Sequence, residues 1–377
     1  MQWSAAGGLR CLTRGVENGF VDPPGREPGT STGKGGRALS YLQEINGLRP
    51  MGRGPLVLDL FAGCGGLSLG FEAAGFRTLG FEMVAAYAAT SNRNLHGECR
   101  VEELSPDTKF PRSEVVIGGP PCQPFSVGGA QKGLSDSRDG FPTFIAAVKA
   151  AQPVVFLFEN VRGLMYRNRW YLDQIVEQLE ALGYAVDWRL VNAKHHGVPQ
   201  NRERVICVGY RKPFSWPRPS DELRTAGEAV GRTARNAPAG SKFLTPGMDQ
   251  YVAKYERASK CVRPRDLHLD RPARTLTCRN LAGATGDMQR VRLPDGRRRR
   301  LTVREAARLQ SFPDWFKFCG SETEQFNQIG NAVPPLFGLH LGQAVKDCYE
   351  SSEVLTKSQI RSLRQARQQS LFEANSG

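Results

Sequence analysis

Cys122 stands in the run Gly118-Gly119-Pro120-Pro121-Cys122-Gln123-Pro124-Phe125-Ser126, directly after the apolar stretch SEVVIGG. Two prolines ahead of the sulfur stiffen the loop and present it in one pose. A lone cysteine is usually a small buried hydrophobe, the expectation for Cys64, Cys207 and Cys348. One displayed on a rigid polar loop is a candidate nucleophile. The next apolar run, PVVFLFENV, ends in Glu159, and an acid at an apolar strand end is kept available as a proton donor. Arg202 and Arg204, in Gln200-Asn201-Arg202-Glu203-Arg204, are two apart, so an extended chain projects both to one face. Either suits an anion or a carbonyl; a surface salt bridge is an equal reading.

These groups must be held by regular elements, and the sequence supplies them. PLVLDLF reads as a buried strand, ended by the glycine turn Asp59-Leu60-Phe61-Ala62-Gly63-Cys64-Gly65-Gly66 and followed by the helix GLSLGFEAAG. TLGFE is a second strand, MVAAYAATSNRNL a helix, and a weak third strand falls near Arg100–Leu104. SEVVIGG and PVVFLFENV flank the helix FPTFIAAVKAA, before the helix WYLDQIVEQLEALG and the strands YAVDWRLV and RVICVGY. Such alternation predicts an α/β fold: a doubly wound, mostly parallel sheet with helices on both faces. Ligands bind at the carboxyl ends of its strands, which puts Cys122 and Glu159 on one edge, one strand apart. The glycine turn is the default nucleotide site, with Glu82 at the tip of strand two placed for a ribose diol. No GK[ST] follows, so it is not a phosphate-cradling P-loop. NAD, FAD and S-adenosylmethionine all remain open on these residues.

After Tyr210 the pattern dissolves into Pro, Arg and Gly over 211–270, which reads as a separate small domain or a set of recognition loops. It returns at LTVREAARLQ, where Thr302 and Glu305 have capping-box spacing and predict a helix starting at Thr302. LFGLHLGQAVKDCYE and KSQIRSLRQARQQSLFEA predict two more helices. Residues 1–53 are rich in Gly, Arg, Ser and Pro and are expected as a flexible basic extension, with a short helix around Arg37–Asn46 and Met51 as a candidate true start.

The 377 residues suit more than one domain and need neither disulfides nor metal to fold. Nine cysteines without a CxxC pair argue against a secreted scaffold or zinc ribbon and for a reducing cytoplasm. No apolar run has the length of a membrane span. His195 and His196 have no third ligand at sensible spacing, so no metal is expected. The net charge is +14, and 211–300 holds 21 Lys/Arg against 9 Asp/Glu. Most of the excess thus sits in under a quarter of the chain, as suits a polyanionic partner.

With these motifs in this order, the chain resembles the DNA cytosine C5-methyltransferases, prokaryotic type, from about Pro55 to Cys348. DLFAGCGG resembles their S-adenosylmethionine loop and GGPPCQPFS their nucleophile loop. ENV, QNRER, RPARTLT and QIGNAVPP resemble their later signatures. The resemblance implies a Rossmann-like methyltransferase fold and methyl transfer from S-adenosylmethionine to C5 of a flipped cytosine in double-stranded DNA. Cys122 would attack C6, Glu159 would hold N3 and the exocyclic amine, and Arg204, with Arg202, would contact the base carbonyl. Phe61, the backbone of Gly63, Cys64, Gly65, Gly66 and Leu67, and Glu82, Pro121 and Asn331 would line the cofactor site. Glu102 or Glu103 would approach adenine.

The same resemblance implies a catalytic domain over 54–210, a target-recognition domain over 211–320, a return segment over 321–350 and a C-terminal helical tail over 351–377. Gln123 and Ser126 in the closing loop, and Arg263, Arg265, Arg297 and Arg298, would meet DNA, the Arg297–Arg300 run mostly as phosphate contacts or an exposed hairpin turn. The expected setting is a cytoplasmic, nucleoid-associated monomer, solitary or beside a cognate restriction endonuclease without a stable complex. The rival readings are a tRNA cytosine-5 methyltransferase and a catalytically silent DNA-binding homologue.

Overall fold

The computed structural model describes residues 40–121, 139–258, 265–282 and 286–376, the side chains of 368 and 370–376 excepted. Cys122, Gln123, Ser126 and Arg263 lie outside the described residues. The described chain falls within one compact unit, Leu39–Gly377, which includes the 211–320 stretch.

The short helix expected before the first strand is α1 (Tyr41–Gly47), opened by a Ser40–Gln43 capping box. It buries Tyr41 and Ile45, and the Tyr41 hydroxyl donates to the Arg308 carbonyl at 2.5 Å. Tyr41, Ile45 and Leu48, ahead of Met51, are therefore part of the core.

The strands are β1 (Leu56–Leu60), β2 (Arg77–Glu82), β3 (Glu98–Val101), β4 (Val115–Gly118), β5 (Val155–Val161), β6 (Ala185–Asn192), the two-residue β7 (Gln200–Asn201) and β8 (Glu203–Tyr210). Seven of them form one sheet in the order β3-β2-β1-β4-β5-β8-β6, parallel except for β8, which runs antiparallel to both neighbours. The order reverses between β1 and β4, the crevice where such sheets take ligands. β3 begins and ends earlier than the sequence suggests, at Glu98 rather than Arg100.

Side chains alternate across this sheet with period two. Val57, Ile117, Leu157 and Ile206 face one core with α2 (Gly66–Ala73) and α11 (Pro335–Glu350). Leu58, Val116, Phe156 and Cys207 face the other with α4 (Phe141–Ala151) and α5 (Arg169–Ala181). The helix α3 (Ala85–Asn94) packs beside β2 and β3. Helices α2 and α11 touch backbone to backbone: a Cβ on Gly70 would lie 2.3 Å from the Gly338 carbonyl carbon. That close approach fixes where the end of the chain returns to its beginning.

The basic stretch holds α6 (Ala226–Val230), α7 (Pro246–Ala258), β9 (Ala273–Arg274), which pairs with β7, α8 (Cys278–Ala282), and the hairpin β10 (Arg290–Arg292) and β11 (Arg298–Arg300). Helix α9 (Val303–Leu309) starts at its expected Thr302 cap, with the Thr302–Glu305 capping box formed. Then come α10 (Glu322–Asn331), α11 and α12 (Lys357–Ser376). Helix α12 shields the edge strand β6: Arg364 donates to the Tyr184 carbonyl at 2.8 Å, and Arg367 pairs with Glu180 at 2.8 Å.

Candidate active site

Strand β5 delivers Glu159 and Asn160 at the carboxyl edge of the sheet, to opposite faces. The Glu159 carboxylate is nearly buried and lies 2.7 Å from Nε of Arg204, which comes from the adjacent β8. The acid thus has a fixed cation beside it as well as apolar neighbours. A Cβ on Gly119 would lie 3.8 Å from Glu159 Oε2, so the acid stands next to the chain that leaves β4 for Cys122. Asn160, itself buried, donates from Nδ2 to the Pro120 carbonyl at 2.9 Å. This residue ties the acid-bearing strand to the loop two positions before Cys122. The sequence marks it only as the middle of ENV; an amide at the end of an apolar strand, beside an acid, is the available signal.

The glycine turn meets the same loop. Pro121 accepts a hydrogen bond from the Gly140 amide at 3.0 Å. A Cβ on Gly140 would lie 2.4 Å from Pro121 Cδ and 3.0 Å from Phe61 Cζ. Phe61 has a left-handed backbone, φ 60°, as do Gly63 and Gly65, so the chain turns sharply off β1. Both Glu82 oxygens accept backbone N–H groups, from Gly63 at 2.9 Å and Val84 at 2.8 Å. Each carboxylate oxygen keeps a second acceptor site. A Cβ on Gly63 would meet nothing within 4 Å, and no side chain caps the N-terminus of α2. A nucleoside with a free diol therefore fits these donors and acceptors.

Of the other residues expected at the cofactor, most lie behind the turn. Cys64 and Leu67 are buried in the core, and burial pushes the Cys64 thiol up to about 12, so only their backbone is presented. Gly66 packs on the return segment, where a Cβ would lie 2.4 Å from the Val333 carbonyl. Asn331 is exposed at the end of α10 and accepts from the Cys278 thiol at 3.0 Å. Beneath the turn, burial raises Asp59 to about 7 although Ser68 donates to it at 2.6 Å. Of the two acids after β3, Glu102 is half-buried and its amide donates to the Glu82 carbonyl at 3.0 Å, whereas Glu103 is exposed.

Arg202 requires a correction. It does not project beside Arg204 toward a substrate. It is fully buried and donates to the carbonyls of Leu276 at 3.0 Å, Gly330 at 3.3 Å and Ala332 at 3.0 Å. Burial, with Arg204 adding to it, lowers its guanidinium to about 9, still protonated at neutral pH. Its work is to clamp the basic stretch and the return segment onto the catalytic layer.

Two of the described arginines expected at DNA are also held internally. Arg265 pairs with Asp287 and lies 4.9 Å over the Tyr255 ring. Arg298 is held by Asp266 at 3.0 Å and Asp249 at 3.2 Å. Neighbouring Arg290 and Arg299 are fully buried against Asp266 and Glu305. Arg297 remains exposed at the hairpin turn, paired with Asp295 at 2.7 Å and 4.6 Å over Phe243. His196 is buried 3.3 Å from the His340 ring nitrogen, and His195 contacts the Ser220 carbonyl. Among the described residues no group of three His, Cys, Asp or Glu is placed to hold a metal.

Residues 56–347 match the model of the C-5 cytosine-specific DNA methylase family. The chain is 59 % identical over 300 residues to the type II methyltransferase M.AplI of Arthrospira platensis, covering 78 % of this chain and 87 % of that one. It is 33 % identical to the type II methyltransferase M.NgoFVII of Neisseria gonorrhoeae, covering 84 % and 94 %. Its fold is similar to that of the Entamoeba histolytica methyltransferase EhMeth, with a TM-score of 0.62, 15 % identity and coverage of 79 % and 100 %.

Proposed function

The chain belongs to the C-5 cytosine-specific DNA methylase family, a DNA cytosine-5-methyltransferase dependent on S-adenosylmethionine, and from that premise we propose how its own residues carry the reaction. C5 and C6 of cytosine are hidden in a stacked duplex, so the target base leaves the helix first. Cys122, as thiolate, adds to C6 and makes C5 nucleophilic. Glu159 holds N3 and the exocyclic amine, and supplies the proton that balances charge on the ring. Arg204 orients that carboxylate and faces the base carbonyl. Asn160 fixes the nucleophile loop through the Pro120 carbonyl. After C5 has gained its methyl group, loss of the C5 proton expels Cys122 and restores the ring.

Bound S-adenosylmethionine supplies an electrophilic methyl group. Its holders are Glu82 for the ribose diol, Phe61 and Pro121 for the apolar faces, the backbone of 63–67 for the amino-acid part, Glu102 toward adenine, and Asn331 from the return segment. The observation that carries this reading is the seam between Glu159 and the nucleophile loop, with the carboxylate 3.8 Å from a Cβ on Gly119.

Recognition belongs to the 211–320 stretch, where the outward face of α7, with Gln250, Tyr251, Lys254 and Arg257 exposed, can meet bases and phosphates. We further propose that it modifies DNA beside a separate restriction endonuclease and acts as a monomer; the relatives it resembles carry the name type II methyltransferase.

The test is trapping. Duplex DNA carrying 5-fluorocytosine at the target should form a covalent adduct with the wild-type protein and none with Cys122→Ser. Absence of an adduct, or methyl label entering tRNA and not duplex DNA, would overturn the assignment.

A further inference from the structure

The active-site edge has a second flank. β5 runs from Glu159 through exposed Val161 into a 3-10 turn, Arg162–Leu164, and then to α5. Along this path Tyr166 is 55 % exposed and Trp170 47 %, large rings for a surface position. Arg162 lies 5.1 Å over the Tyr166 ring, with its side chain 59 % exposed. Arg167 is exposed, and the stretch from 161 to 172 contains three arginines and no acid. The ledge is rigid from below: Leu164 is buried, Tyr171 bonds to Asp139, and Arg169 lies 4.4 Å over the Trp188 ring.

Its position narrows its partner. Leu164, Tyr171 and Leu172 belong to the core on the α4–α5 face of the sheet. Ala226, Leu276 and Val291, from the recognition stretch, belong to the core on the α2–α11 face. The ledge and the recognition stretch therefore flank the same carboxyl edge from opposite sides. Exposed rings interleaved with cations suit nucleic acid, the cations for phosphate and the rings for sugar or unstacked bases.

We propose that Val161, Arg162, Tyr166, Arg167 and Trp170 form a second DNA-binding surface, gripping the duplex flank that lies away from the recognition stretch. This rests on the reading that the Glu159 edge takes the flipped base. Arg162 pairs with Glu203 at 2.6 Å, but this pair is solvent-exposed, at 59 % and 35 %, so Arg162 can exchange that partner for a phosphate.

The test compares three duplexes whose target site is identified by bisulfite conversion of expression-host DNA: one with both flanks, and one shortened on each side in turn. Methylation of the full duplex by the wild type establishes the active-site reading independently. The wild type should then lose about tenfold in affinity on shortening one particular flank. Arg162→Ala/Arg167→Ala should show that loss on the full duplex and no further loss on that shortened one. Its log–log salt slope should fall by about 1.8, roughly 0.9 for each phosphate no longer neutralised. Arg167→Ala alone, which leaves the Glu203 pair intact, should give about half that change. Unchanged affinity and slope on the full duplex, or equal further loss on both shortened duplexes, would overturn the ledge, as would intact DNA affinity with the exposed rings seated in a protein partner.

Discussion

The sheet's carboxyl edge and the basic stretch from 211 to 300 solve opposite problems with different materials. The edge positions chemistry mainly with backbone: a left-handed turn at Phe61, amides on Glu82, an asparagine on the Pro120 carbonyl and one ion pair at Glu159. The basic stretch buries little hydrocarbon in α7, where only Val252 is fully buried, and ties itself together with Arg290, Arg298 and Arg299 on Asp266, Asp249 and Glu305. Its excess of positive charge is therefore not a count of phosphate contacts. A cation contributes to counterion release only if it reaches a phosphate, and several of these are internal.

The contrast predicts where a conservative change is fatal to turnover and where it is fatal to folding. Glu159→Gln keeps shape and removes the ionisable proton carrier. Turnover should fall about a thousandfold, within the usual range for loss of a general acid–base group. S-adenosylmethionine affinity by isothermal titration should stay near wild type, because Glu82, not Glu159, lies at the glycine turn proposed for the cofactor. A collapse of that affinity would merge two sites that the geometry keeps apart.

The basic stretch should respond the other way. Arg299 donates to both Glu305 oxygens, at 2.8 and 2.7 Å, with no exposed surface. Burial alone would push Glu305 up, but the bonds from Arg299, Thr233 and the Thr302 amide outweigh it and hold its carboxyl below the usual range. Arg299→Ala leaves that charge buried and unpaired, at a cost of about 3 kcal/mol or somewhat more. Denaturant unfolding should show the loss, while turnover per folded molecule changes little. Joint replacement, Arg299→Met with Glu305→Leu, should restore most of the stability. Failure of the pair to recover would mean that the Thr302 cap, not the ion pair, carries the effect.

The same division explains what the amino-acid order reveals. The glycine turn, the PPCQ loop, ENV and the Thr302 cap are local patterns, and each element they predict is present wherever the chain is described. Arg202 is misread because its partners lie 74 to 130 residues away, and alternation in an extended chain says nothing about them. Helix α7 escapes notice because its apolar stripe is short, Met248, Val252 and Tyr255, and lies among the prolines, glycines and charges of the basic stretch. Helix α10 is not among the expected elements either, although Ser321 and Glu324 carry the same capping-box spacing as Thr302 and Glu305.

Where the layers meet, a pH dependence should appear. His196 packs 5.1 Å from the Phe337 ring of α11, beside His340 and His195, with the Glu44 carboxylate acting on His340. Burial, then His340 and His195, lowers its pKa from 6.5 to about 4. Below 6.5 the unfolded chain therefore binds the proton that the folded chain refuses. This contribution to stability is complete above 6.5 and is lost as pH falls toward 4, on the order of 3 kcal/mol in all. His196→Gln should flatten that part of the profile in urea unfolding at pH 7.5 and pH 5. A profile identical to wild type would locate the acid sensitivity in His340, whose pKa burial also lowers, or in the carboxylate pairs of the basic stretch.

The smallest expected effect bears on which part of the basic stretch touches DNA. Asp249 and Glu256 are seven residues apart on α7 and share its inner face, taken by Arg298 and Arg290. Gln250, Tyr251, Lys254 and Arg257 consequently turn outward. Lys254→Ala and Arg257→Ala should each weaken duplex binding a few-fold, with a drop of about 0.9 in salt slope for each phosphate left without its cation. Arg265→Ala and Arg298→Ala should leave the slope of the folded fraction unchanged, because their charges are already matched inside the protein. If instead the latter two flatten the salt dependence, the internal pairs must open on DNA, and the basic stretch would be a reserve of cations held closed until the duplex arrives.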